Sequence, residues 1–373
     1  MPSPNSPTEQ QPSGLTTKLP SELPVALPTL YVVGGRQRSD SHFTDEWHHY
    51  REARVLWVDP ASGRAEAVVR HESPPEACPE HKPSFVFKAG CRVGDRLYLC
   101  TQTEVLVMRG RGQGPWEREA YVSLPLFNDL HHVLPTAADR MLLANTGLDL
   151  VAEVNLEGEV LETWSALPGE DPWERFDRAV DYRRVATTKP HHSHPNYVFR
   201  VGEETWVTRF EQRDALSLAD PARRLEIAVE RPHDGVVRGD RVFHTTVDGR
   251  VVISRVTAGE ARVESILDLN TLGDGRRALG WCRGILPLDE RHALVGFSRL
   301  RPSVLRQNLR WVKHRFGQRP TSGDLPTRVA LYDLQQARLL WEMNLEEHGL
   351  NALFSIHGEG IDDVAPVADR EGT

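Results

Sequence analysis

The chain is poor in cysteine and lacks the long apolar runs that would point to a membrane and the net positive charge that would point to nucleic acid. Among 373 residues there are four cysteines, Cys78, Cys91, Cys100 and Cys282. They form no Cys-x-x-Cys pair and no small-domain framework, so they read as buried apolar side chains in a reducing compartment. No stretch approaches the roughly 20 apolar residues of a membrane span. The start, MPSPNSPTEQQPSG, is polar and proline-rich, without the basic segment and apolar run of a secretory signal. A cytoplasmic, soluble protein is the expectation. The formal net charge of −8 argues against a general nucleic-acid binder and leaves small molecules or proteins as partners. Nucleophile elbow, P-loop, G-x-G-x-x-G and EF-hand patterns are all missing, so acyl transfer, nucleotide chemistry and calcium sites lack a motif.

Strand signals, in contrast, run along most of the chain. TLYVVGG is followed by EARVLWVDPASGRAEAVVRH, two apolar runs split by the turn Asp59-Pro60-Ala61-Ser62-Gly63. RVGDRLYLCT, PTAADRMLLANT, RVGEETWVTRF, VRGDRVFHTTVDG and PLDERHALVGFS repeat one grammar, a tight polar turn leading into a strand. Their spacing of about 40–60 residues is that of propeller blades. One four-stranded blade cannot bury both faces, so blades must stack in a ring. The expectation is an all-β chain forming a single propeller over 27–362, between disordered tails at 1–26 and 363–373. Six blades is the count; the long connections 60–84 and 165–191 keep seven open. The C-terminal strand NALFSIHG is expected to pair beside TLYVVGG and close the ring. Segment 303–319 carries Leu305, Leu309, Val312 and Phe316 at helical spacing among Arg306, Arg310, Lys313 and Arg315. It reads as a solvated cap, or alternatively as a basic docking helix for an anionic or protein partner.

Several short segments are shared with a known group. They are Pro232-His233 ahead of RGDRVFHTTVDG, Trp281-Cys282-Arg283-Gly284, Val295-Gly296-Phe297-Ser298-Arg299-Leu300-Arg301, and His131-His132 leading to Ala144-Asn145-Thr146. In these the chain resembles an uncharacterised bacterial β-propeller family, a domain of unknown function, over roughly residues 85–301. It departs from that pattern at Phe297, Arg299 and Asp234. The resemblance implies the fold and no activity. Segment 130–164 is also similar to repeats of bacterial arylsulfotransferases, propellers with channel histidines.

Histidines supply the functional lead. His132, His194, His233 and His357 each stand beside an expected inner strand, and inner strands of a propeller line its channel. Neutral imidazoles suit Fe, Zn, Cu and Ni, so the four are expected to converge on one divalent metal, with Fe(II) favoured over Zn or Cu. His131 competes with His132, and His191 and His192 with His194. The bland alternative is that all are blade-start residues bonded to backbone. His244 falls in a strand alternation and reads as structural. Arg283 occupies the equivalent place in its own blade and is expected to clamp an anionic group; Lys88, in FVFKAG, has a similar place. Glu359 is assigned a catalytic, imidazole-orienting role, against the alternative of a solvated tail residue.

The function these residues suggest is iron-dependent oxidation or a metal-assisted lyase step on a small organic anion. A metal-free transferase with a histidine nucleophile, as the arylsulfotransferase likeness implies, is the second expectation. A non-catalytic, protein-binding propeller is the third.

Overall fold

In the computed structural model, residues 19–20, 22–38, 49–81, 83–272, 278–300 and 325–364 are described. They form six four-stranded antiparallel sheets and, among the described residues, no α-helix. The helix-like segment 303–319 lies outside the described residues. The innermost strands are Ala352–Gly358 in blade 1, Ala89–Val93 in blade 2, Leu130–Ala137 in blade 3, Pro195–Val201 in blade 4, Pro232–Arg238 in blade 5 and Trp281–Pro287 in blade 6. Each inner strand packs against the inner strand of the next blade, and the last returns to the first, so the ring is closed with six members.

Closure joins the two ends of the propeller. Leu30–Gln37 pairs with Ala352–Gly358, with Leu30 opposite Gly358, Tyr31 opposite His357 and Val32 opposite Ile356. Blade 1 thus takes its inner strand from the C-terminal side of the chain, and that strand covers the edge that Leu30–Gln37 would otherwise expose.

The hydrophobic pattern explains the ring. Leu30, Val32, Leu56 and Val58 turn to blade 6, meeting Leu294 and Leu331. The alternate residues Tyr31, Val33 and Val55 turn to blade 2, meeting Leu97 and Leu99. Successive side chains of a strand point to opposite faces, and here each face has a neighbouring blade, so the strand reads as one continuous apolar run. The other blade interfaces have their own cores in the same way. Outer strands lose one such face. Glu117–Val122 and Val160–Ser165 are accordingly largely exposed.

All five copies of the repeated turn are hairpins joining an inner strand to the second strand, in blades 2 to 6. Gly94, Gly202 and Gly239 stand at positive φ in three of them, the conformation that the Gly-Asp and Gly-Glu turns require. The four cysteines are buried and unpaired.

The propeller extends beyond 27–362 on both sides. Leu19, Leu23 and Val25 pack on the core between blades 1 and 6, because apolar side chains there find uncovered surface despite the polar composition around them. At the other end Asp363 pairs with His357, and Val364 packs against two blade interfaces.

Candidate metal and anion site

The channel carries a ring of bulges near one end. In the inner strands of blades 1, 3, 4, 5 and 6 the pairing register slips by one residue, at Phe354, His131, Asn196, His233–Asp234 and Gly284. A bulge places an extra residue against one partner and re-aims the side chains on either side. Blade 2 keeps regular pairing and reaches the same level with Lys88, just before its strand.

Above this ring is a cavity of about 420 Å³ whose walls include Lys88, Asp129, His131, His194, His233 and Arg283. Three imidazoles converge there. One ring nitrogen from each of His131, His194 and His233 lies within 4.8 Å of the others. Each ring has a partner that fixes it. His131 Nδ1 is 2.8 Å from the Asp129 carbonyl, so Nδ1 carries the proton and Nε2 is the free donor atom. His233 Nδ1 is 2.8 Å from Asp234 Oδ1, the carboxylate–histidine arrangement common behind metal ligands. His194 Nδ1 is 3.2 Å from His191 Nδ1. The other nitrogen, Nε2, is buried and without a hydrogen-bond partner among the described residues.

His194 sits at φ 56°, in a backbone region that non-glycine residues rarely adopt. Asp149 of blade 3 holds it there. Its carboxylate accepts from the backbone N–H groups of His192, Ser193 and His194 at 2.8, 2.9 and 2.8 Å. Arg175 closes the arrangement at 2.8 Å.

Burial pushes His131, His194 and His233 well below the ordinary imidazole range, so all three are neutral at pH 7. Burial raises the Asp129 carboxyl, but the Lys88 ammonium beside it more than reverses this and holds it ionised. Lys88 Nζ is 3.2 Å from Asp129 Oδ1. Burial lifts Asp234 to about 6, opposed by Arg283 and the Gly284 N–H.

Two cations share one ring. Lys88 Nζ lies 5.7 Å and Arg283 Cζ 5.1 Å from the centroid of Phe354. Arg283 Nη1 stands 2.5 Å from His233 Nε2. Trp281, two residues before Arg283 on the same strand, lines the cavity as well; its Nε1 is buried with no hydrogen-bond partner among the described residues.

The structure therefore regroups the expected ligands. His194 and His233 meet, but His131 joins them in place of His132. His132 and His357 line a second, smaller chamber of about 40 Å³ below the bulges, with Asp234, Tyr197 and Asp363. For His132 the reason is the bulge, which separates it from His131. For His357 it is distance along the strand. His357 is the sixth residue of Ala352–Gly358, not the first. Phe354 is the residue that reaches the upper cavity, and three residues further along a strand is about 10 Å. Glu359 lines neither cavity; its carboxylate accepts from Tyr31 Oη at 3.2 Å and its N–H donates to Thr29. A role beside the imidazoles does not fit that place. Arg283 and Lys88 do line the upper cavity. His191 backs His194, whereas the hydrogen bonds of His192 among the described residues are made by its backbone. His244 is buried in the second strand of blade 5, 3.2 Å from Thr208 Oγ1, a structural position.

No family model matches the chain, and no curated protein matches it. Two solved structures of distant sequence are similar to it. A candidate 6-phosphogluconolactonase from Bacteroides fragilis has TM-score 0.47 at 10% identity, covering 90% of this chain and 83% of that one. The WD40 β-propeller domain of Doa1 has TM-score 0.38 at 9% identity, covering 68% and 71%. The class, a six-bladed β-propeller, rests on the strand topology described above. The arylsulfotransferase likeness gains no support from either structure. Among the described residues no helix is long and apolar enough to cross a membrane.

Proposed function

We propose that the upper cavity is a catalytic centre in which His131, His194 and His233 hold a divalent transition metal and the cations around Phe354 receive a small organic anion. The observation that carries this reading is the convergence of three neutral imidazoles from three blades, within 4.8 Å, each with its own fixing partner. Ligand nitrogens on one ion stand about 3–3.5 Å apart, so modest ring rotations complete the site. Held by three neutral imidazoles, such an ion would keep its full charge and would supply Lewis-acid or redox chemistry to a bound substrate. Fe(II) is the ion that makes oxidation available; Zn would restrict the site to Lewis-acid steps such as a lyase reaction.

Arg283 and Lys88 supply the complementary half. A carboxylate set between them would meet charge-assisted donors, with the Trp281 Nε1–H as a further donor at the wall. Elemental analysis of the purified protein, after reconstitution with Fe(II), Zn or Cu, tests the proposal. One ion per chain, lost in His194→Ala, supports it; a reconstituted chain that holds no stoichiometric metal overturns it.

One contact favours a metal-free alternative. Arg283 Nη1 lies against His233 Nε2, the atom that would face the ion. With the guanidinium as resident cation, the site would bind an anion directly, and a histidine would act as nucleophile in group transfer. Absence of metal together with a phosphate- or sulfate-labelled histidine would favour this reading.

A further inference from the structure

The lower chamber holds chemistry that the metal site does not use. Ser355 and His357 are two residues apart on the inner strand of blade 1, so their side chains share a face. Ser355 Oγ is 2.9 Å from His357 Nε2. On the far side of the ring, His357 Nδ1 is 2.5 Å from Asp363 Oδ2. Asp363 is itself anchored on blade 2. Its carboxylate accepts from the Arg92 N–H at 2.6 Å, and its own N–H donates to the Arg92 carbonyl at 2.9 Å. A carboxylate next to Nδ1 places the proton there and leaves Nε2 to accept from the serine hydroxyl. This is the hydrogen-bond order of a serine–histidine–aspartate triad, which is recognised by geometry and not by sequence position.

Glycine keeps the space around it open. A Cβ on Gly90 would come within 2.9 Å of His357 Nε2, and one on Gly284 within 3.0 Å of the Ser355 Cα. A second observation points to a ligand. His132 lines the same chamber, and its Nδ1 is buried with no hydrogen-bond partner among the described residues. At about 40 Å³ the chamber matches a water or an acetyl-sized group.

We propose that Ser355, His357 and Asp363 form a second nucleophilic site, independent of the metal, that takes small activated acyl esters. Ser355 Oγ bonds to the ester carbonyl carbon while its proton passes to His357 Nε2. The bond to the leaving alcohol then breaks, and the alcohol takes that proton. Water releases the acyl group as the carboxylic acid and restores the serine hydroxyl. Asp363 holds the ring in the tautomer that accepts the proton.

The test is acetylation of the full-length protein by p-nitrophenyl acetate, with the modified residue located by peptide mass spectrometry. Acetyl should appear on Ser355 and be absent from Ser355→Ala. Asp363→Asn, which preserves shape, should slow labelling by at least about 100-fold with the melting temperature retained. Labelling should be unchanged by a chelator, which separates this site from the metal centre. No acetyl on Ser355 of the wild-type chain, or a rate on Ser355 indifferent to Asp363→Asn, overturns the proposal.

Discussion

His131 and His132 are consecutive in one strand, yet they open on different cavities, one above and one below the ring of bulges. In a regular strand one of the two would point away from the channel. The extra residue at this level lets both face it, at different depths. Two neighbours that a sequence pattern treats as equivalents are thereby assigned to different cavities.

That division is directly measurable. His131→Ala should abolish stoichiometric metal binding, whereas His132→Ala should retain it, with both variants folded. Metal content after reconstitution checks this. A loss in His132→Ala equal to that in His131→Ala would mean that the lower chamber contributes ligands.

Arg283→Lys should keep the fold but weaken binding of small carboxylates by about 1.5–3 kcal/mol, because an ammonium cannot reproduce the two-pronged guanidinium geometry. Isothermal titration with a panel of short organic acids reads the change. A large fall in melting temperature with unchanged anion affinity would place this arginine in the structural framework instead.

Acid should act on fold and metal site in different ranges. His244, packed near Tyr197 and Phe199, and His132 in the lower chamber are both pushed down by burial to about 4. Unfolded histidine titrates near 6.5, so between about pH 6.5 and 4 the unfolded chain binds more protons. Stability is therefore complete above that window and is lost as pH falls through it. His244→Gln should flatten the slope of melting temperature against pH. The three proposed ligands are likewise pushed well below the ordinary imidazole range by burial. Metal should accordingly stay bound at pH 6, below the point where exposed imidazoles begin to release it.

Removing residues 351–373 deletes the inner strand of blade 1 and bares the edge of Leu30–Gln37. Loss of cooperative folding is expected, since the ring would be opened on its channel side. Circular dichroism with thermal melting reads it, and an unchanged melting temperature would contradict closure by this strand.

The fold was legible because its cause is local. Alternation that becomes continuous apolarity in TLYVV, and five copies of one polar turn, require strands buried on both faces in a repeating unit. Even the closing pair could be read, since the first blade lacked an inner strand and NALFSIHG was unplaced. The lining of the candidate cavity was legible only in outline. Arg283, Lys88, His194 and His233 follow from their place at blade entrances. The choice of His131 over His132 does not, nor the exclusion of His357 and Glu359. Depth along a channel depends on where each strand's register slips, and a bulge is set by pairing with a partner strand, not by the residue itself. Asp149, which holds the His194 loop from another blade, leaves no mark in the sequence, because only the closed ring brings it within hydrogen-bond distance of that loop.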